Sequence, residues 1–496
     1  MLVLTGAHRT DASPLCSLAA PYQKGARLVH TRGTAVDGIS DIQKGRHSNL
    51  LIRTIESGEA HGPPPPGPRL PSPVQTVIFT WKRQRWANRL RDKYGDVVAL
   101  KVFPWGPVIL VFKAEHIGAM FSSPPSRFHG GEGNRVLVPV FGEHALITSD
   151  GDDHQRLRKT LAPLFGKAAV RGYQDAVREL TEQELARWPV GRPFKSLDRC
   201  RVLILDIIWR VVLGADDSPD DGRLRRLVGR LPVVDLMILM GLNSPQARRL
   251  WPWRRAARML DRMDVLLYQA IERRRSAPDL AERTDVLSRL VSLEGAERLR
   301  PVEIRDQVVT LLFAGHEPTA TALAWTLHEL ARNPRVARDA TRAALIDDSA
   351  YLEAVVKESL RRRPAIFESI WTLAEDVELA GVRLPKGATV MPMLGVVHSD
   401  PENYRAPDEF RPERFLEDEI PPHAFIPFGG GARRCIGAHL SVMQATEVLR
   451  VLLSSRVITT DLEKPEKPIA RNVTISPGEG ARIIVRPLSE ISHEPS

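Results

Sequence analysis

The sequence predicts a mainly α-helical fold with a small β region. Three observations carry this. One apolar run starts near Pro301 and ends at the "RNP" that leads into Pro334, long enough for a helix that crosses a large domain. From about residue 150 onward helical spacing dominates. Strand patterns are confined to short stretches, one near residues 97–112 and several after residue 370.

Taken in order, residues 1–62 show no periodicity of useful length. They are expected to form a disordered N-terminal extension or to lie upstream of the true start. "GPPPPGPRLPSP", residues 62–73, reads as a stiff polyproline-type lead-in. A single large domain is expected over 63–488, followed by a tail over 489–496. "VVALKVFPWGPVILVF" reads as a β-hairpin around Pro104, Trp105 and Gly106. "DDHQRLRK" sets His154 and Arg158 four residues apart, on one helical face. The long helix opens on Pro301, a favoured first-turn residue, with Glu303 and Asp306 at the positive end of its dipole. "KESLR" holds Glu358 and Arg361 at i, i+3, and "FRPERF" brings Arg414 later in the chain. "VELAGVRLPKGATVMPM" and "ARIIVRP" read as strands, and no internal repeat is present.

Of the 496 residues, 43% are hydrophobic and 26% charged, so a sizeable core is available. The net charge of +10 reads first as a solvated basic surface and second as a face for an acidic protein partner. Nucleic acid is not expected, because no zinc-finger spacing or RNA-binding aromatic motif accompanies the charge. Three cysteines, Cys16, Cys200 and Cys435, make no disulfide framework and suit a reducing cytoplasm. No apolar run approaches the length of a membrane span, and the N-terminus lacks the basic region of a signal peptide.

The most specific stretch is "FGGGARRCIG", residues 428–437. Three glycines and Gly437 bracket Cys435, and "AHLSVMQATEVLRVLL" beyond it reads as a helix. The cysteine therefore sits in a tight turn at a helix N-terminus. Backbone N–H groups, with Arg433 and Arg434, are expected to favour thiolate there. The glycines allow backbone to approach a flat group closely.

The arrangement Phe428-x-x-Gly431-x-Arg433-x-Cys435-x-Gly437 resembles the haem-binding loop of the cytochrome P-450 family at every position of its signature. The resemblance covers about residues 63–488 and implies that family's fold, a single haem domain. It implies haem b as cofactor, Cys435 as the axial iron ligand, and Phe428 near the sulfur. Arg433, His154 and Arg158 would hold haem propionates. Trp371 departs from the pattern, since many relatives have a propionate-binding arginine there. Glu358, Arg361 and Arg414 would form the family's structural Glu–Arg–Arg cluster. Arg156 and Lys159 would lie near the docking face of a redox partner.

The same resemblance places "AGHEPTA", residues 314–320, over the distal side of the haem, with Gly315 against the cofactor. The family's usual threonine is replaced by Pro318, which removes the N–H that would bond the Ala314 carbonyl. The expectation is that Thr319 or a water supplies the missing hydroxyl while Glu317 relays protons, and that Pro318 fixes a local opening of the helix. Use of peroxide, isomerisation without O2, and haem-based ligand binding without turnover are the alternatives.

The function implied is a cytoplasmic monooxygenase that inserts one atom of O2 into a lipophilic small molecule. Electrons would come from NAD(P)H through a separate reductase and an acidic ferredoxin, without a transmembrane anchor. Residues 130–147, 231–242, Ile366, Phe367 and 473–475 are the expected pocket walls.

Overall fold

The computed structural model describes residues 65–103, 105–214, 218–230, 236–471 and 473–489. The expected N-terminal extension, Cys16, Pro104 and nearly all of the tail lie outside the described residues. The chain begins with helix α1 (Ser72–Tyr94), then strands β1 (Val97–Val102) and β2 (Gly106–Val111). These two pair antiparallel from Val97↔Val111 to Val102↔Gly106, the hairpin read from the sequence. Helices α2 (Gly151–Leu161), α3 (Ser196–Leu213), α4 (Trp253–Arg275), α5 (Pro301–Arg332), α6 (Ser349–Arg362) and α7 (Ala438–Leu453) build the body. Their apolar faces meet in one large core that includes Leu203, Leu260, Val308, Leu352 and Val448.

The sequence reading places no helix before residue 150, yet α1 and a helix over Ala114–Ser122 are present. In α1 the reason is physical. Val74, Val77 and Trp81 are exposed, whereas Gln75, Phe79, Ala87 and Leu90 are buried. Its apolar residues therefore do not mark its core face, and periodicity misleads.

Strands β3 (Phe128–His129), β4 (Trp371–Leu373) and β5 (Thr389–Pro392) complete a five-stranded sheet ordered β1-β2-β5-β4-β3. β2 and β5 run parallel, with Val108 opposite Thr389 and Val111 opposite Pro392. The late "ARIIVRP" strand, Arg482–Pro487, pairs antiparallel with Arg456–Thr459.

Helix α5 organises everything else. It has 32 residues, about 48 Å at 1.5 Å per residue. It is buried from Glu303 to Phe313 and again from Thr319 to Leu330, as a helix crossing an interior must be. At its start Glu303 accepts from the Arg300 N–H at 2.8 Å and from Arg156 of α2 at 2.5 Å. At its end Arg332 donates to the carbonyls of Leu462 (2.8 Å) and Glu463 (3.2 Å). The helix continues through Pro318 without interruption, so the expected opening is not seen. Packing on both sides holds the backbone helical across the one missing hydrogen bond.

Candidate active site

The cysteine loop lies between β5 and α7. Gly429 and Gly431 adopt positive φ values of 66° and 59°, which side-chain-bearing residues rarely accept. A Cβ on Gly430 would come within 2.2 Å of the Phe121 ring, so the loop is pressed against the helix at Ala114–Ser122. The turn closes through a hydrogen bond from the Cys435 N–H to the Phe428 carbonyl, 2.9 Å. Arg158 of α2 donates to the Arg434 carbonyl at 2.8 Å, tying α2 to the loop.

The Cys435 thiol is accessible, yet the surrounding protein desolvates it and pushes its pKa up. The Gly437 N–H, Arg158 and Arg434 oppose that shift. The expected preference for thiolate is therefore not met by the chain alone. Desolvation outweighs the turn, and a bound metal cation is what deprotonates such a thiol.

Beside the loop, His154, Arg158 and Arg433 converge. Burial, with Arg433 and then Arg158, lowers His154 to about 4, keeping it neutral. Arg433 donates to the Ser149 carbonyl, to Asp150 and, at 3.4 Å, to the Leu146 carbonyl. Asp150 also accepts from the N–H groups of Gly131 (3.0 Å) and Glu132 (2.7 Å). Trp371 is buried nearby, edge-on to Phe128, with its indole N–H on Ser369 Oγ at 3.0 Å.

In α5 the buried pattern breaks at Ala314, which is exposed although its helix is not. An accessible thiol, an exposed mid-helix alanine, and Arg158 and Arg433 on either side of a neutral histidine suit a flat group with two carboxylates and a soft metal. The residues present thus fit a haem.

The other expected distal residues are placed differently. A Cβ on Gly315 would lie 2.8 Å from Ile208, so Gly315 lets α5 approach α3 rather than facing a cofactor. Glu317 forms a two-point ion pair with Arg201 of α3, at 2.9 and 2.5 Å. His316 Nε2 lies 3.0 Å from the Arg201 carbonyl, and burial lowers its pKa. Thr319 is buried, its hydroxyl 3.3 Å from Ser441 Oγ of α7. It thus bridges two helices. Arg156 is committed to Glu303, which leaves Lys159 and Arg434 as exposed cations beside the loop.

Glu358, Arg361 and Arg414 are brought together at 0–1% exposure. Arg361 meets Glu358 twice at 2.8 Å, and Arg414 Nε reaches it at 3.0 Å. The remaining guanidinium N–H groups donate to the carbonyls of His398, Pro407, Glu409, Arg405 and Ala406. Arg361 also stacks over Tyr404, 4.9 Å from the ring centre. His398 accepts the Ile426 N–H at 3.0 Å, linking this cluster to the approach to the cysteine loop.

Of the expected pocket walls, residues 231–235 lie outside the described residues. Phe367 and Ile475 are core residues packed with Met391 and Met393. Phe141 and Phe313 do meet edge-on beside Ala314, ring centres 6.2 Å apart.

A mainly helical domain whose long buried helix meets the helix that follows a glycine-bracketed cysteine is the build of a haem-thiolate oxygenase. The chain belongs to the cytochrome P450 family, whose family model matches residues 63–481. It is 38% identical over 427 residues to cytochrome P450 135A1 of Mycobacterium tuberculosis, covering 85% of this chain and 95% of that one. Cytochrome P450 135B1 of Mycobacterium bovis is 36% identical over 438 residues, covering 86% and 92%. Among solved structures, retinoic acid-bound cyanobacterial CYP120A1 superposes with a TM-score of 0.74 at 22% identity, covering 86% of this chain and 99% of that one. The protein is accordingly an oxidoreductase of the monooxygenase type, and its family binds haem b through a cysteine thiolate. No helix among the described residues is long and apolar enough to cross a membrane.

Proposed function

We propose that Cys435 is the axial iron ligand and that the protein inserts one oxygen atom of O2 into a lipophilic small molecule. The observation that carries this is the accessible thiol set in the Gly429–Gly431 turn, beside His154, Arg158 and Arg433. Haem held by that thiolate supplies the activation of O2. Arg433, Arg158 and neutral His154 bind the two propionates, and Phe428 shields the sulfur. Phe141 and Phe313 give the substrate side an apolar lining. Glu317 handles protons at its carboxylate oxygens, and Arg201 orients it through two hydrogen bonds. Thr319 positions α5 against α7.

This division of roles has a direct test. In the reconstituted system Glu317→Gln lowers turnover about a hundredfold, at the low end of what proton transfer contributes. Thr319→Ala leaves the coupling of NAD(P)H use to product unchanged. An unimpaired Glu317→Gln enzyme, or an uncoupled Thr319→Ala one, would refute the assignment.

Electrons come from NAD(P)H through a reductase and an acidic ferredoxin that docks on Lys159 and Arg434, both exposed on the cysteine-loop side. Charge reversal at both positions, K159E with R434E, raises the KM for ferredoxin about tenfold or more and flattens its salt dependence. Substrate binding, read by spectral titration, stays as in the parent. Equal KM values at low salt would exclude this docking face.

A further inference from the structure

Helix α1 turns an apolar face to water. Trp81 is 79% exposed, Val77 53% and Phe103, just past β1, 57%, with Leu70 and Val74 exposed beside them. Val74, Val77 and Trp81 fall within roughly 60° of arc at 100° per residue, turned away from the buried Gln75 and Phe79. The face is held firmly. Gln75 donates to the carbonyls of Leu70 (2.7 Å) and Pro68 (3.2 Å) and accepts the Lys101 N–H at 2.9 Å. The Phe103 N–H donates to Thr76 Oγ1 at 3.1 Å, which sets that residue on the flank of α1. Contiguous exposed apolar surface of this kind marks an interaction site.

One end of the face is cationic. Lys82, where α1 leaves helical geometry (φ −128°, ψ 25°), is exposed, and so are Arg85 and Arg89. None of the three has an ion-pair partner among the described residues.

The chain itself carries a complement. Residues 50–55 read "LLIRTI", and Glu56 and Glu59 follow. The tether from this run to the domain is short, and its far end is fixed. Pro65 is buried, and the Pro66 carbonyl accepts the Ala99 N–H at 2.9 Å, on the outer edge of β1. A Cβ on Gly67 would fall 2.1 Å from the Ala99 carbonyl oxygen, so the entry lies tight against that edge. From Pro65, Leu70 is five residues on, at most about 18 Å, and Ile55 is ten residues back, at most about 35 Å. A segment tethered within reach of a face meets it at an effective concentration of order millimolar, which a free partner rarely attains.

We propose that residues 50–59 of this chain dock on the outer face of α1. Leu50, Leu51, Ile52 and Ile55 cover Val74, Val77, Trp81 and Phe103, while Glu56 and Glu59 meet Lys82 and Arg85. The segment ahead of the polyproline lead-in is then a working part of the domain. No residue assigned to the haem site takes part, so the proposal stands or falls apart from the oxygenase reading.

The test is limited trypsin digestion of the haem-loaded full chain. Arg53 lies inside the docking run, and Lys44 and Arg46 lie just ahead of it. Each cleavage rate is divided by that of the matching synthetic peptide over residues 40–62, which removes the intrinsic preference of the protease. Cleavage after Arg53 is then expected to be at least about tenfold slower than after Arg46, whatever the protein concentration. V77S/W81S, and separately L51S/I52S/I55S, bring the two rates together, and combining the two sets has no further effect. E56Q/E59Q speeds cleavage after Arg53 about threefold, as the loss of two exposed charge pairs would, and K82Q/R85Q does the same. W251S, at an exposed tryptophan on another part of the chain, leaves the rates as in the parent. Far-UV circular dichroism verifies that the variants fold. Equal cleavage after Arg53 and Arg46 in the parent, or protection that survives V77S/W81S, overturns the proposal. So does protection seen only where the chain dimerises, which would give the face to a second copy, or only with phosphatidylcholine–phosphatidylglycerol vesicles, which would give it to lipid.

Discussion

Cys435→Ala abolishes the red-shifted Soret band of the reduced, CO-bound protein, and turnover falls to background. No other described residue is placed to replace the thiolate. The second free cysteine, Cys200, is fully buried in α3, and burial pushes its pKa above the thiol range. The loop itself survives the substitution, because its turn is closed by the Cys435 N–H and the Phe428 carbonyl rather than by the sulfur. Haem retained on His154, Arg158 and Arg433 would then show an unshifted CO band. That pairing of retained cofactor and lost band separates ligation from folding. A band that persists in the alanine variant would remove Cys435 from the iron.

Glu358→Ala is expected to cost about 3–5 kcal/mol, the range for breaking a buried ion pair from one side. Among the described residues Glu358 is the only carboxylate contacting Arg361 and Arg414, all three at 0–1% exposure. Removing it leaves two buried guanidinium groups with carbonyl partners but no counter-charge. Against a total stability of about 5–15 kcal/mol, most of the protein should be lost to aggregation or arrive without haem. Urea unfolding of whatever remains soluble measures the effect. A midpoint shift worth less than about 1 kcal/mol would show that backbone carbonyls alone satisfy the arginines. Glu358→Gln, which keeps the shape and loses the charge, should fall between the two.

The parts of the site legible in the sequence were those in which chemistry and spacing coincide within a few residues. Cys435 with its glycines, His154 with Arg158, and Glu358 with Arg361 are of this kind. Arg201 was not legible. It lies in an ordinary helix 116 residues before Glu317, and only the packing of α3 on α5 brings them together. Asp150, which gathers Arg433 and two backbone N–H groups, was hidden in the same way. The directions of side chains on α5 were also beyond reach. Consecutive residues on a helix point about 100° apart, so moving the hydroxyl from position 318 to Thr319 turns it away toward Ser441. The fold class followed from periodicity where apolar residues face the core. It failed at α1, where several face water.

Helix α5 behaves mechanically as a beam clamped at both ends: by Arg156 on Glu303 at one, and by Arg332 on Leu462 and Glu463 at the other. A proline at mid-span normally invites a hinge, but a hinge needs a free end. With both ends fixed and Arg201 and Ser441 bracing the middle, bending at Pro318 would have to break several of these contacts together. The beam is thereby the stationary wall of the chamber. Whatever movement admits a substrate falls to the lighter pieces beside it.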